Sequence, residues 1–198
     1  MKKILIGTGN TAKVNTYKQL LKDFSLEVVS AKDLKISALE ENGKTFEEEA
    51  INKAKYYFEK SGIPSLVDDG GMQIEALNGE PGLKSHRWLG YEMSDDEIVA
   101  EVMKRMKNVP EGKRACKFTV ALGIATPFGV FTSHADIIGV VPDKPSSKMV
   151  KGYPYDPVIY LPNYGMCVSE LSDGDYEIIN VRTHAFDKLK DIIKELEK

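Results

Sequence analysis

The hydrophobic spacing of this chain changes twice along its length, and that change constrains the fold more than the composition does. Over residues 14–24 and 186–196, apolar side chains recur three or four positions apart, which is the spacing of one helix face. Over residues 118–124 they alternate with other residues, and Pro127-Phe128-Gly129 then turns the chain into a second long strand. The pattern predicts helices before and after a β-hairpin.

Strand–helix units precede that hairpin. Ile4-Leu5-Ile6 is a short apolar strand, closed by a polar loop before the first helix, and Leu26–Val29 is typical of a second strand. Residues 45–60 carry good helix formers with one apolar face. Because such units favour parallel strands and a hairpin adds antiparallel ones, we expect an α/β fold. It would have a mixed, twisted central sheet flanked by helices, in a single domain over residues 1–198.

Charge and composition narrow the function classes. The chain has 27 basic and 30 acidic residues, a formal charge of −3, so no overall positive field attracts nucleic acid. The apolar run at the start breaks at Gly7, before a signal-peptide core or membrane span can form. Cys116 and Cys167 lie far apart, without metal-type spacing. We therefore expect a reduced, cytoplasmic protein with no nucleic-acid or membrane partner.

The loop after the first strand has groups suited to phosphate. Thr8, Gly9, Asn10 and Lys13 place a hydroxyl, flexible backbone, a carboxamide and an ammonium at the start of a helix. Backbone N–H groups and the positive end of the helix favour an anion there. The alternative is a capped strand–helix loop with a solvated lysine.

Two pairs of carboxylates are candidate magnesium ligands. Glu40-Glu41 precedes Asn42-Gly43, and Asp68-Asp69 directly follows the apolar Leu66-Val67, where a strand is expected to emerge into a flexible Gly-rich turn. Carboxylates hold Mg²⁺ through one or two oxygen bonds and leave its other positions to phosphate and water. For Glu40-Glu41 alone, a solvated loop is the alternative.

Three further groups are candidates. Lys53 lies at the edge of the apolar arc of its helix, either pointing into a cleft or covering core surface while paired with Glu49. Aromatic residues and a carboxylate in the segment 153–156 are able to stack on a base and accept from its edge, and packing in the core or at its rim is the alternative for the tyrosines. Arg182-Thr183-His184 precedes the last helix, with Thr183 as its expected N-cap.

In this order the motifs resemble those of the inosine triphosphate pyrophosphatase family, over nearly the whole chain. The matching stretches are Thr8-Gly9-Asn10-Thr11-Ala12-Lys13, Glu40-Glu41-Asn42-Gly43-Lys44-Thr45-Phe46, Glu49-Ala50-Ile51-Asn52-Lys53-Ala54, Asp68-Asp69-Gly70-Gly71, Pro81-Gly82 with Ser85 and Arg87, and Tyr153-Pro154-Tyr155-Asp156-Pro157. The resemblance implies two lobes with an active-site cleft between them, usually in a homodimer. It also implies Mg²⁺-dependent hydrolysis of nucleoside triphosphates, such as those of inosine, deoxyinosine and xanthosine, to monophosphate and pyrophosphate.

The resemblance also assigns residues to roles. Glu40 and Asp69 would hold Mg²⁺ with support from Asp68, and Asp69 would accept the proton of the attacking water. Lys13 and Lys53 would contact the phosphates. The remaining candidates would bind substrate: Thr8, Gly9, Asn10, Gly70, Tyr153, Tyr155, Asp156, Arg182, Thr183 and His184.

Four positions depart from the family pattern. Gly70 replaces serine, Glu49 replaces asparagine and Pro154 replaces glycine. Thr183-His184-Ala185 corresponds to the Ser-His-Arg motif near the C-terminus of the family, so Ala185 stands where that motif has arginine. A site that loses donors to the purine edge loses base discrimination first, so the reaction is expected while the preferred base stays open. The alternatives are a catalytically weak nucleotide-binding module and a pyrophosphatase for other modified nucleotides.

Overall fold

The structure, a computed structural model, describes residues 2–198. Its strands are β1 (Lys2–Ile6), β2 (Leu26–Ser30), β3 (Ser65–Ile74), β4 (Ala115–Thr126), β5 (Gly129–Val140), β6 (Tyr160–Leu161) and β7 (Met166–Cys167). Its α-helices are α1 (Thr11–Leu20), α2 (Phe46–Ser61), α3 (Asp95–Met106), α4 (Asp173–Ile179), α5 (Val181–Asp187) and α6 (Lys190–Glu195).

The strands form one hydrogen-bonded sheet in the order β2-β1-β3-β4-β5-β6-β7. β1 pairs in parallel with β2 from Lys2↔Leu26 to Ile6↔Ser30, and in parallel with β3 at Leu5↔Ser65. β6 is antiparallel to both β5 and β7. The expected α/β fold with a mixed central sheet is therefore confirmed.

Side-chain caps fix the starts of the helices that matter most for the site. Asn10 caps α1 by accepting from the backbone N–H groups of Ala12 and Lys13, and Thr45 caps α2 by accepting from the N–H of Glu48. Gly62 caps the C-terminal end of α2 in a left-handed backbone conformation (φ 68°), which glycine adopts without strain. The expected helix over residues 45–60 is thus confirmed to within one residue at each end.

The expectation of a turn at Asp68-Asp69-Gly70-Gly71 is wrong, because β3 continues through these residues to Ile74. The strand continues because Gly71 packs closely against Gly82 and Ser85. A Cβ on Gly71 would lie 2.6 Å from the carbonyl oxygen of Gly82, so only glycine lets β3 pass this point. The Ser85 hydroxyl accepts from the N–H of Met72. The two aspartates therefore have the alternating directions of a strand rather than the freedom of a loop.

The C-terminal region also differs from the sequence expectation. The single closing helix is divided into α5 and α6, and α4 lies before them with Ser172 as its N-cap. Thr183 lies inside α5 and is not an N-cap. α5 begins at Val181, five residues before Phe186, where the apolar spacing of the expected helix began. Val181 and Arg182 are both buried in this earlier part of the helix.

The chain divides into two compact units. The first contains the chain up to Asp69, together with Val120–Ala135 and Val181–Lys198, and the second contains Gly70–Thr119 and Asp136–Asn180. In the first unit Leu5, Ala54, Tyr57 and Val67 are part of one buried apolar cluster. No helix within residues 2–198 has the length and apolar character needed to cross a membrane. The single-domain assignment of residues 1–198 and the cleft implied by the resemblance stay predictions.

Candidate functional site

Asp68 is a buried carboxylate surrounded by donors from two helices. Its Oδ1 contacts Nζ of Lys13 from α1. Its Oδ2 accepts from Nε of Arg182 in α5 at 2.8 Å and from the hydroxyl of Tyr17 in α1 at 2.9 Å. All four residues belong to the first unit. Both oxygens of Asp68 are therefore engaged by this chain's own cations and hydroxyl.

This environment strongly favours the ionised form of Asp68. Burial by itself raises the pKa of the carboxyl. The charges of Lys13 and Arg182, with hydrogen bonds from Lys13 and Tyr17, outweigh burial and hold the pKa of Asp68 well below its ordinary value. Asp68 is thus a fixed negative charge paired with Lys13 and Arg182, and its expected support of a metal stays a prediction.

Asp69, the next residue of β3, belongs to a different cluster. Lys53 of α2 donates from Nζ to Oδ1 of Asp69 at 3.0 Å and to Oε1 of Glu41 at 2.5 Å. Successive side chains of a strand point to opposite faces, so the direct ion-pair partner of Asp69 differs from those of Asp68. Lys53 therefore points toward carboxylates, and the interpretation that it only covers core surface is wrong.

The pKa of Asp69 is shifted in the direction opposite to that of Asp68. Burial raises it, and the attraction of Lys53 and Lys13 compensates only in part, so the pKa of Asp69 lies above its ordinary value. Lys53, the direct partner of Asp69, is shared with Glu41, whereas Lys13 and Arg182 both pair directly with Asp68. Asp69 is consequently the more proton-accepting of the two aspartates.

The structure separates the two adjacent glutamates that the sequence left together. Both glutamates are exposed, and Glu41 is the one of the two that contacts Lys53. The resemblance implied a metal role for Glu40, and two neighbouring carboxylates in a loop carry no local signal of which one pairs with a lysine of α2. The expected metal role of Glu40 stays a prediction.

Several polar groups of the loop between β1 and α1 form hydrogen bonds within the loop and the first turn of α1. The side chain of Asn10 accepts from the N–H groups of Ala12 and Lys13 at 2.9 and 3.3 Å, and Thr8 Oγ1 accepts from the N–H of Asn10 at 3.1 Å. The capped-loop interpretation is therefore confirmed for Asn10, while Lys13 is paired and not solvated. Gly9 is exposed.

The C-terminal candidates differ in accessibility. Arg182 is buried against Asp68, whereas Thr183 is half-buried and His184 is exposed on α5. Ala185, which stands in the place of the family's arginine, is fully buried.

The remaining candidates belong to the second unit. Tyr155 is buried, donates its hydroxyl to the carbonyl oxygen of Ser85 at 2.6 Å and packs against Phe118. Tyr153 and Asp156 are half-buried, and Gly70 follows Asp69 in β3. Tyr155 thus has a structural task, and the substrate-binding roles of these four residues stay predictions.

The donor set fits a divalent ion in its chemistry. Within residues 2–198 no group of three or more His, Cys, Asp or Glu side chains is arranged to hold a metal by itself. Oxygens of Glu41 and Asp69 nevertheless both lie within 3.0 Å of the same nitrogen of Lys53. Two carboxylates, with other positions left to phosphates and water, are the usual protein contribution to a Mg²⁺ site.

Comparison with known proteins identifies the relatives of this chain. The model of the Ham1 family matches residues 4–192. The chain belongs to the Ham1 family. A protein of Yersinia pseudotuberculosis named dITP/XTP pyrophosphatase is 35% identical to it, over 98% of this chain and 100% of that protein. One of Escherichia coli K12 with the same name is 32% identical, over 98% and 99%.

Solved Ham1 structures agree with this assignment. A HAM1 protein from Coxiella burnetii superposes with a TM-score of 0.87 at 28% identity, covering 98% of this chain and all of that one. The Ham1 protein of Staphylococcus aureus gives 0.85 at 26% identity, covering 98% and 99%. The resemblance noted in the sequence is therefore confirmed at the level of family and fold.

Proposed function

We propose that this chain is a nucleoside triphosphate pyrophosphatase that removes non-standard purine nucleotides, with the triphosphates of inosine, deoxyinosine and xanthosine as substrates. The observation that carries the proposal is the arrangement around Asp68 and Asp69, where one lysine is anchored and a second is shared between carboxylates. Membership of the Ham1 family and relatives named dITP/XTP pyrophosphatase support the same reaction.

In this reaction a water oxygen attacks the α-phosphorus and the bond to the bridging oxygen of the β-phosphate breaks. The products are a nucleoside monophosphate and pyrophosphate. Such a transfer needs a positioned water, cations that absorb charge on the phosphate oxygens, and a stabilised leaving group. A covalent nucleophile is not required.

Asp69 is the proposed proton acceptor. Its raised pKa brings the carboxylate closer to the range in which a general base works, and its position beside Lys53 fixes its orientation. Lys13 and Lys53 are proposed to bind phosphate oxygens. Asp68 contributes by holding Lys13 in place, because its buried negative charge offsets that of the lysine.

Magnesium is the proposed cofactor. Glu41 and Asp69 would hold it, with Glu41 in the role that the sequence analysis gave to Glu40, because only Glu41 contacts Lys53. Bound Mg²⁺ supplies Lewis-acid stabilisation of charge on the phosphate oxygens.

A separate set of residues is proposed to bind the base of the nucleotide. Tyr153 and Asp156 would stack on the base and accept from its edge, and Thr8, Gly9, Asn10, Gly70, Thr183 and His184 would line the substrate. Arg182 and Tyr155 contribute by positioning, since both side chains are buried in contacts of their own. Replacement of arginine by Ala185 removes a donor to the purine, which predicts weaker discrimination between bases.

A panel of triphosphates tests the proposal. Purified protein with Mg²⁺ is offered inosine, deoxyinosine, xanthosine and the standard triphosphates, and products are separated by ³¹P NMR. Monophosphate with pyrophosphate is expected. Diphosphate with orthophosphate would reject cleavage next to the α-phosphorus, and tight binding without turnover would favour the nucleotide-binding module.

The neighbouring glutamates supply a matched pair of variants. Glu41→Gln should raise the Mg²⁺ concentration needed for half-maximal turnover by about tenfold or more, while Glu40→Gln leaves it within about twofold. The reverse result would return the metal role to Glu40.

The protein is also proposed to form a homodimer and to act in the cytoplasm. Light scattering during gel filtration tests the dimer, since a homodimer would show twice the mass of the 22.0 kDa chain. A monomer that is fully active would contradict a need for dimerisation.

A further inference from the structure

Glu49 is a buried carboxylate that the proposed reaction does not use. It lies on α2 with 2% of its surface exposed, where the resembled motif has asparagine. Its Oε2 accepts from the backbone N–H groups of Asn42 and Gly43, at 3.1 and 2.6 Å. Within residues 2–198, its Oε1 has no hydrogen-bond partner.

The contacts of Glu49 combine a cost and a gain. Its buried Oε1 without a partner costs free energy, whereas its Oε2 satisfies two backbone N–H groups that an apolar side chain would leave without this acceptor. Glu49 thereby orders two consecutive backbone amides of the segment that leads into α2.

The backbone of that segment is shaped for the contact. A Cβ on Gly43 would lie 2.7 Å from Oε2 and 2.8 Å from the backbone nitrogen of Glu49, so only glycine allows the approach. The next amide, that of Lys44, donates to Oε2 of Glu48 at 2.9 Å. Three successive amides are therefore held by carboxylates of the first turns of α2.

The same helix carries Lys53 one turn after Glu49, and Glu41 directly precedes the anchored Asn42. We infer that Glu49 is a positioning residue that fixes the segment 42–43 on α2 and thereby directs the carboxylate of Glu41 to Lys53. This inference rests on the proposed function for its catalytic consequence, since Glu41 would hold the metal there.

Removal of the contact from either side tests the inference. Glu49→Ala and Gly43→Ala should each weaken Mn²⁺ binding, followed by electron paramagnetic resonance without nucleotide, by about 10- to 100-fold. Glu49→Gln keeps an oxygen for both amides and should stay within about threefold of the wild type. Should Glu49→Ala not fold, Glu49→Asp keeps the charge, withdraws it by one methylene and carries the same expectation of weakened binding.

Glu48→Ala is the matched control. Glu48 occupies the neighbouring position, is exposed and binds the adjacent amide, so its loss should leave Mn²⁺ binding within about threefold. Equal weakening by Glu48→Ala and Glu49→Ala would overturn a specific role for Glu49.

A double variant separates positioning from general destabilisation. With Glu41→Gln already present, Glu49→Ala should cause no further loss of Mn²⁺ affinity, because it acts through Glu41. Full additivity of the two losses would overturn the inference, as would unchanged binding in Glu49→Ala.

The two proposals fail in different ways. Weakened Mn²⁺ binding in Glu49→Ala, with a wild type that hydrolyses no triphosphate, would reject the proposed function and support the positioning role. Hydrolysis by the wild type with unchanged metal binding in Glu49→Ala would do the reverse. A wild type that binds no Mn²⁺ would overturn the inference outright.

Discussion

Asp68 and Asp69 are adjacent in one strand, yet they have opposite surroundings. Asp68 is enclosed by Lys13, Arg182 and Tyr17, which lower its pKa despite burial. Asp69 shares one lysine with Glu41, and burial leaves its pKa raised. The difference shows that the number of cations in direct contact with a carboxylate, rather than its residue type, decides the direction in which its pKa is shifted.

Replacement of Asp69 is expected to have the largest effect on activity. Asp69→Asn keeps the shape of the side chain but removes the proposed base, so turnover should fall by about 10²- to 10⁴-fold. Steady-state kinetics on the best triphosphate measures the loss, and a wild-type circular dichroism spectrum with a cooperative melting transition shows that folding is retained. Full activity in this variant would remove Asp69 from the mechanism.

Asp68→Asn should act mainly on stability. It leaves Lys13 and Arg182 without their shared negative partner in a buried place, which costs about 3–5 kcal/mol of the free energy of unfolding. Urea denaturation measures the cost, with Asp69→Asn as the control variant. If the two variants lose equal stability, the distinction between anchor and base is wrong.

Tyr17→Phe removes the one neutral donor named among the partners of Asp68 and so tests what that hydrogen bond contributes to stability. The lost hydrogen bond joins a buried hydroxyl to a charged oxygen at 2.9 Å, so about 1.5–3 kcal/mol of unfolding free energy should be lost. A double-mutant cycle with Asp68→Asn should show a strong coupling between the two sites. Additive losses would mean that the hydroxyl acts on stability independently of Asp68.

The opposite pKa shifts predict opposite contributions to stability as pH changes. The lowered pKa of Asp68 gives a contribution that is full above the ordinary Asp pKa, about 3.9, and is lost as pH falls through the folded-state value. The raised pKa of Asp69 gives a contribution that is present below the ordinary value and is lost as pH rises through its folded-state value.

Asp69→Asn isolates the second contribution. In buffers with a chelator, the unfolding free energy of the variant should rise relative to the wild type as pH increases above about 4, by at most about 1.4 kcal/mol per pH unit. Urea denaturation from pH 3.5 to 7 gives the two curves. Parallel curves would contradict a raised pKa at Asp69.

Local patterns sufficed for much of the fold. The apolar run of β1, the cap and apolar face of α2 and the alternation in β4 are visible in neighbouring residues, because period and capping are properties of short segments. The continuation of β3 through Asp68–Gly71 was missed, since the close approach of Gly82 and Ser85 to Gly71 is a contact between separate segments.

The candidate site was predictable in its residue types but not in its pairings. The ordered motifs selected Lys13, Lys53, Asp68 and Asp69, and the structure brings all four into ion pairs within the first unit. The contact of Lys53 with Glu41 rather than Glu40 joins separate segments, so no local pattern shows it. Glu49, which the sequence offered as a partner of Lys53, accepts instead from the N–H groups of Asn42 and Gly43.

By itself the sequence determined α1, α2 and most of the strands, the family and the set of groups available for phosphate chemistry, because spacing and motif order are written along the chain. Tertiary structure alone decided that Asp68 is an anchor and that Asp69 faces Lys53. The physical reason is distance along the chain: Tyr17 and Arg182 lie 51 and 114 positions from Asp68. Only packing brings such partners close enough to set the charge state of a buried carboxylate.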